Sequence, residues 1–226
     1  MESIFNIINF STMNFKESKK VAIKKKTLIS TDELKQLFNY EAKKHYASKK
    51  RIFTVDKYNK NFLNLLCKYF AHDESFETIH KGELNKGLYV MGSHGTGKTT
   101  SFQIIQSISQ KYHLKQLWFP IVSSSDIVQK YNLNNKKDYV VQNYSKGVFL
   151  FDDLGAEKEA SNYGKEDIFI RIMLNRYNEY LLKGVKTHVT SNLSLVDIKN
   201  RYGSRVEDRF VEMFNFLEIE GTGKRE

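Results

Sequence analysis

Residues 92–99 read Gly-Ser-His-Gly-Thr-Gly-Lys-Thr, a full match to G-x-x-x-x-G-K-T, and nothing else in the chain limits its possible folds so sharply. The motif carries meaning only between a strand and a helix. Here the apolar run Gly87-Leu88-Tyr89-Val90-Met91 precedes it and reads as a strand. Thr99 to His113 follows, with Phe102, Ile105 and Ile108 on one side, and reads as a helix. Strand, glycine loop and helix in that order belong to α/β proteins with parallel sheets.

The chemistry follows from the residue types. Glycines permit backbone conformations that aim successive N–H groups inward at phosphate. The helix N-terminus adds the positive end of its dipole. The cradle comprises Gly92, Ser93, His94, Gly95, Thr96, Gly97, Lys98, Thr99 and Thr100. Lys98 is expected at the β- and γ-phosphates of ATP, and the Thr99 hydroxyl on Mg²⁺. A second near-match, Gly221-Thr222-Gly223-Lys224, has Glu218 where the first glycine belongs, and is read as a turn.

Val148-Phe149-Leu150-Phe151 is an apolar strand running into Asp152-Asp153. Carboxylates at the C-terminal end of a parallel strand face the ligand crevice. Asp152 is expected to hold Mg²⁺ through water, and Asp153 to orient or deprotonate an attacking water. Asp152 lies 54 residues after Lys98, room for one further β-α unit. A GTP-binding pattern is also present in fragments: Asp152-Asp153-Leu154-Gly155 fits D-x-x-G, and Asn135-Lys136-Lys137-Asp138 fits N-K-x-D. Their order is reversed, and the second does not end an apolar strand, so guanine specificity is not expected.

A fourth strand, Val185 to Thr190, runs into Ser191-Asn192. If it lies between the loop-bearing and acid-bearing strands, Asn192 is placed to touch a γ-phosphate and its attacking water. Ser191-Asn192 is also good turn chemistry. Arg205 and Arg209 are four apart and share a helix face. They are candidates for completing a neighbouring subunit's site, where an arginine spreads transition-state charge. A surface ion pair with Glu207, Asp208 or Glu212 is the plainer alternative.

Other elements are expected at Phe53 to Phe70 (amphipathic helix), Leu117 to Val122 (strand), Ser123 through Tyr131 (capped helix), Ile168 to Lys183 (helix) and Phe214 to Glu220 (fifth strand). Charge divides the chain. Residues 1–60 carry fourteen Lys or Arg against six Asp or Glu, which is +8 of the total +10. They read as a short basic arm, helical from about Thr31 to Lys50, that contacts a partner; residues 61–226 read as the catalytic domain. Such an excess favours a polyanionic partner. The one cysteine, Cys67, allows no disulfide within the chain and fits a cytoplasmic setting. No stretch approaches the roughly 18 apolar residues of a membrane span, and no membrane partner is expected.

The combination of Gly92–Thr99, Leu150-Phe151-Asp152-Asp153-Leu154-Gly155, Thr190-Ser191-Asn192 and Tyr202-Gly203-Ser204-Arg205-Val206-Glu207-Asp208-Arg209 resembles the bacterial replicative-helicase loaders of the DnaC/DnaI type. It is equally similar to the IstB-type ATPases of transposons. The resemblance covers about residues 72–226. It implies an AAA+ P-loop NTPase core, a five-stranded parallel sheet between helices, without a full helical lid. It implies ATP hydrolysis, ATP-driven homo-oligomerisation, single-stranded DNA in a central channel and a hexameric helicase held by the N-terminal segment, with hydrolysis driving release. By position, Asn192 matches the first sensor, Arg209 the arginine finger and Arg205 the arginine near it. The acid pair is Asp-Asp where many AAA+ proteins carry Asp-Glu, which implies slow hydrolysis. Two other functions fit the same residues: a transposition regulator acting on duplex DNA, and a nucleotide-gated interaction module with little turnover.

Overall fold

A computed structural model describes residues 29–157, 160–161 and 165–221. The tract Lys24 to Lys26 and residues 222–224 of the near-match lie outside the described residues.

Helix α1 (Thr31–Ser48) starts at a capping box, in which Ser30 Oγ accepts from the Glu33 N–H and Glu33 Oε2 accepts from the Ser30 N–H at 2.8 Å. Helices α2 (Lys60–Phe70) and α3 (Ser75–Thr78) lead to strand β1 (Gly87–Gly92). The phosphate loop opens α4 (Lys98–Lys111). Then come β2 (Ile121–Ser123), α5 (Ser124–Leu133), α6 (Lys137–Ser145) and β3 (Phe149–Leu154). A two-stranded antiparallel ribbon, β4 (Ala160–Ser161) and β5 (Lys165–Glu166), precedes α7 (Ile168–Lys183). Strand β6 (Thr187–Ser191), helices α8 (Leu195–Tyr202) and α9 (Ser204–Met213), and strand β7 (Phe214–Ile219) complete the order.

The main sheet has five strands in the order β2-β3-β6-β1-β7, all pairs parallel. Parallel strands share one C-terminal edge, so the ends of β1, β3, β6 and β7 converge there. The order places β6 between the strand that enters the glycine loop and the strand that ends in two acids. One buried cluster lies under α1, α2 and α4 and includes Leu88, Phe102, Ile105 and Ile108. The other joins α5, α6, α7, α8 and α9 to the sheet through Tyr89, Phe151, Ile172, Val189 and Phe210.

The described part of the N-terminal segment packs onto the rest of the chain. Leu34, Phe38 and Ala42, at i, i+4 and i+8 of α1, are buried in the same cluster as Phe62, Leu66 and Phe102. Buried Glu41 pairs with Lys111 of α4 and accepts from Tyr112 Oη at 3.3 Å. Three apolar positions are too few for a core of their own but enough to complete one. Lys43 and Lys44 of α1 are exposed.

Two boundaries moved for local reasons. The helix expected from Phe53 begins only at Lys60, because the Asp56 carboxylate accepts from the Tyr58 and Asn59 N–H groups and makes a turn first. The strand expected from Leu117 begins at Ile121, after a 3₁₀ turn over Lys115–Leu117 and the lone Pro120. Asn135 to Asp138 enters α6, and Asp138 pairs with Arg171 of α7 on the surface at 2.6 Å. It ends no strand, as its sequence context foretold.

Candidate active site

The glycine loop is shaped by close approaches. Gly92 has φ +153, and a Cβ there would lie 2.5 Å from the Ile219 carbonyl oxygen of the adjoining β7. Gly97, at the N-cap of α4, has φ +99, the left-handed region that glycine tolerates without strain. The Lys98 side chain is buried, with Nζ donating to Gly92 O at 2.6 Å, Ser93 O at 2.9 Å and Asn192 Oδ1 at 2.7 Å. Such a loop offers backbone N–H groups, an ammonium and a helix N-terminus to an anion.

Across the sheet edge, Thr99 Oγ1 donates to Asp152 Oδ1 at 2.7 Å. Thr190 Oγ1 donates to the same oxygen at 2.6 Å and accepts from the Asp153 N–H at 2.9 Å. This double role depends on a bulge. Phe151 is in register with Val189 and Leu154 with Ser191, so β3 spends one residue more than β6 over that span. Asp153 absorbs it with φ +58. An aspartate adopts that conformation more readily than most residues, and such positions cluster at functional sites. Asp153 lines the cleft beside the loop, while Asp152 is held against Thr99.

That cleft has a volume of about 450 Å³. One wall is the loop from His94 to Ser101. The other is the end of α1 and the chain beyond it, including Tyr46, Lys49, Lys50, Arg51 and Phe53. The Tyr46 hydroxyl lies 3.6 Å from where a Gly97 Cβ would stand. Tyr46 and Phe53 form an aromatic pair, ring centroids 5.5 Å apart. Basic groups stand on both walls, so the cleft favours a polyanion. The sequence reading missed this wall, because residues 45–54 show only a charge run and no periodic cue that they turn back onto the loop.

It also missed how the segment after the acids is fixed. Buried Glu157 accepts from Arg201 Nη2 at 3.0 Å, from Tyr202 Oη at 2.5 Å and from the Gly155 N–H at 2.7 Å. Burial and the Glu157 charge push the Tyr202 phenol well above its usual range, so Tyr202 is a lasting donor. Arg201 and Tyr202 of α8 thereby hold the turn that follows Asp153.

The structure brings Lys98, Thr99, Asp152, Asp153 and Asn192 to one edge. Arg205 and Arg209 are not among the residues lining the cleft. Arg205 is exposed. Arg209 stands over the Tyr177 ring, 4.6 Å from its centroid, and pairs with Asp208 and with Glu212 at 3.5 Å. No group of three or more His, Cys, Asp or Glu able to enclose a metal occurs among the described residues, and no described helix is long and apolar enough to cross a membrane.

The fold is that of AAA+ P-loop proteins. The DnaC helicase loader superposes with a TM-score of 0.52 at 22% identity, over 74% of this chain and 94% of that one. DnaI gives 0.54 at 21%, over 77% and 88%. A primosome component from Streptococcus pyogenes gives 0.53 at 18%, over 75% and 84%. No protein-family model and no curated protein sequence matches the chain.

Proposed function

We propose that this chain binds and hydrolyses ATP with Mg²⁺ and uses the cycle to load a hexameric replicative helicase onto single-stranded DNA. The observation that carries the nucleotide part is the meeting of Lys98, Thr99, Asp152 and Asn192 at one sheet edge, joined by hydrogen bonds of 2.7 Å. The hydroxyl of Thr99 and the carboxylate of Asp152 are hard oxygen donors. Mg²⁺ takes one or two carboxylates and completes its shell with phosphates and water, so these two residues fit it. Mg²⁺ would neutralise charge on the phosphates. Asp153 is assigned the attacking water, and Asn192 the γ-phosphate.

The replication part rests on fold likeness to the DnaC helicase loader, to DnaI and to a primosome component. Single-stranded DNA, ATP-state oligomerisation and the helicase are proposals on that footing. The exposed face of α1 together with the basic residues before it is assigned the helicase contact, so residues 1–60 bind the partner while 61–226 hold the ATPase. Phosphate contacts from this basic chain would weaken steeply with salt. The test is co-elution with the replicative helicase of the same genome, with and without ATP. A nucleotide-dependent complex supports the loader. No complex, with duplex DNA bound in preference to single strands, moves the assignment to a transposition regulator. Binding of ATP with no turnover moves it to a nucleotide-gated module, which the Asp152-Asp153 pair favours over an Asp-Glu pair.

A further inference from the structure

The wall of the cleft that faces the phosphate loop is anchored in the core. Phe38, buried under α2 and α4, sets its ring against Phe53 with centroids 6.2 Å apart, and Phe53 meets Tyr46 at 5.5 Å. At the far end of this row the Tyr46 hydroxyl lies 3.6 Å from where a Gly97 Cβ would stand, beside the residue that caps α4. The chain then turns back on Tyr46, whose carbonyl accepts from the Lys49 N–H at 3.0 Å and from the Arg51 N–H at 2.9 Å. Lys49 and Lys50 of that turn line the same cleft. Among the described residues Tyr46 Oη has no hydrogen bond and neither lysine has an ion pair. The first N–H groups of α4, at Lys98, Thr99 and Thr100, have no acceptor within their own helix. Donors thus stand on both sides of the cleft, and an anion is what satisfies both.

We propose that Tyr46 is a nucleotide-binding residue supplied by the N-terminal segment, an inference that rests on the nucleotide reading above. Its hydroxyl donates to a phosphate oxygen held by the first turn of α4, and Lys49 and Lys50 add their charge from the same wall. The backbone of a loop of this kind cradles the α- and β-phosphates, which ADP and ATP share, so the contact serves both ligands. The aromatic row holds the hydroxyl in place before the ligand arrives, so little ordering is left to be done on binding. The nucleotide site then extends back across residue 60, into the helix whose exposed face is assigned to the helicase. The turn also supplies a way to separate binding from folding. Lys50 has φ +56, a conformation that glycine adopts without strain. Removing its side chain by Lys50→Gly therefore relieves the backbone while it deletes the charge. Tyr46→Phe keeps the ring against Phe53 and deletes a hydroxyl that has no partner in the free chain.

The experiment measures affinities of the full chain for ADP and for a non-hydrolysable ATP analogue, both with Mg²⁺, at low and at moderate salt, beside urea midpoints without ligand. Wild type is compared with Tyr46→Phe, with Lys49→Ala/Lys50→Gly and with Lys49→Arg/Lys50→Arg. Tyr46→Phe is expected to weaken both ligands by about three- to thirtyfold, the range for one hydrogen bond to a charged group in a partly open cleft, with its urea midpoint unchanged. Lys49→Ala/Lys50→Gly is expected to weaken both by about threefold or more and to make binding less sensitive to salt, at a urea midpoint no lower than wild type. The double arginine variant keeps the charge and is expected to bind as wild type does. Affinities within about twofold of wild type in Tyr46→Phe or in Lys49→Ala/Lys50→Gly overturn the proposal. So does a loss of affinity that comes with a lower urea midpoint and an unchanged salt dependence, the mark of a structural role alone. Wild type that binds neither ligand overturns the nucleotide reading itself, a distinct result.

Discussion

Thr99 Oγ1 donates to Asp152 Oδ1 at 2.7 Å, so two motifs 53 residues apart in the chain share one hydrogen bond. The carboxylate oxygen that receives it also receives Thr190 Oγ1 at 2.6 Å. Thr190 is therefore a positioning residue for both acids, since its oxygen also accepts from the Asp153 N–H. Groups that orient a metal ligand typically matter ten- to a hundredfold. Thr190→Val keeps the shape and removes the hydroxyl. The expected result is a fall in kcat for ATP of about ten- to a hundredfold, with a smaller change in KM. Steady-state ATPase assays across a Mg²⁺ titration check it. A kcat within about twofold of wild type would show that the hydroxyl only fills space.

A second prediction concerns α1. Leu34 and Phe38, in the segment read as a basic partner-binding arm, are buried against α2 and α4. Large-to-small changes at buried positions cost about 2–5 kcal/mol. Leu34→Ala and Phe38→Ala are each expected to lower stability by that order in urea unfolding. Substituting exposed Tyr40 (53% exposed) by alanine should change it by less than about 0.5 kcal/mol. Equal, small effects at all three positions would detach α1 from the core.

These cases show where the sequence was legible. The strand-loop-helix unit, the acid-bearing strand and α7 at Ile168–Lys183 stand out because short-range pattern fixes them: apolar runs, glycine spacing and helical period. The strand that runs into Asn192 lies where the sequence reading assumed it, β6 between β3 and β1. Thr190 and Glu157 were not found. The role of Thr190 arises from a one-residue bulge in a neighbouring strand, and that of Glu157 from residues 44 and 45 positions away. Tyr46 was missed for the same reason: nothing local says that the chain after α1 folds back over the loop.

The pH dependence of stability should carry the mark of one histidine. His188 on β6 is buried among Tyr69, Phe70, Phe102 and Phe119, and its Nδ1 accepts from the Leu88 N–H at 3.2 Å. Burial, with Lys186 and Arg176 nearby, lowers its pKa to about 3 from 6.5. A base whose folded pKa is depressed must shed its proton to fold. Its contribution is intact above about 6.5 and is lost as pH falls toward about 3. The loss approaches about 1.4 kcal/mol per pH unit well inside that window. His188→Asn retains an acceptor and does not titrate. It should be less stable at pH 7 and show a flatter stability profile between about pH 6 and 4.5. Urea midpoints across that range decide it, and a variant slope equal to wild type would place the titration elsewhere.

Arg209 poses the sharpest question about assembly. In the single chain it is stacked over Tyr177 and paired with Asp208 and Glu212, and it lines no part of its own cleft. Exposed pairs of this kind contribute only about 0–1 kcal/mol, so they are readily exchanged for a better anion. A phosphate in a neighbouring subunit's site is such an anion. If Arg209 acts there, Arg209→Ala should spare ATP binding and cut hydrolysis by about a thousandfold or more, the range for arginine fingers. Lys98→Ala should abolish binding in its own subunit. Neither variant alone hydrolyses ATP, but in a mixture a Lys98→Ala subunit still presents its arginine to the intact loop of an Arg209→Ala neighbour. ATPase activity in mixed samples should therefore rise above that of either variant and peak near equal proportions. No rescue at any ratio would return Arg209 to the role its contacts already show, a surface pair bracing α9 against α7.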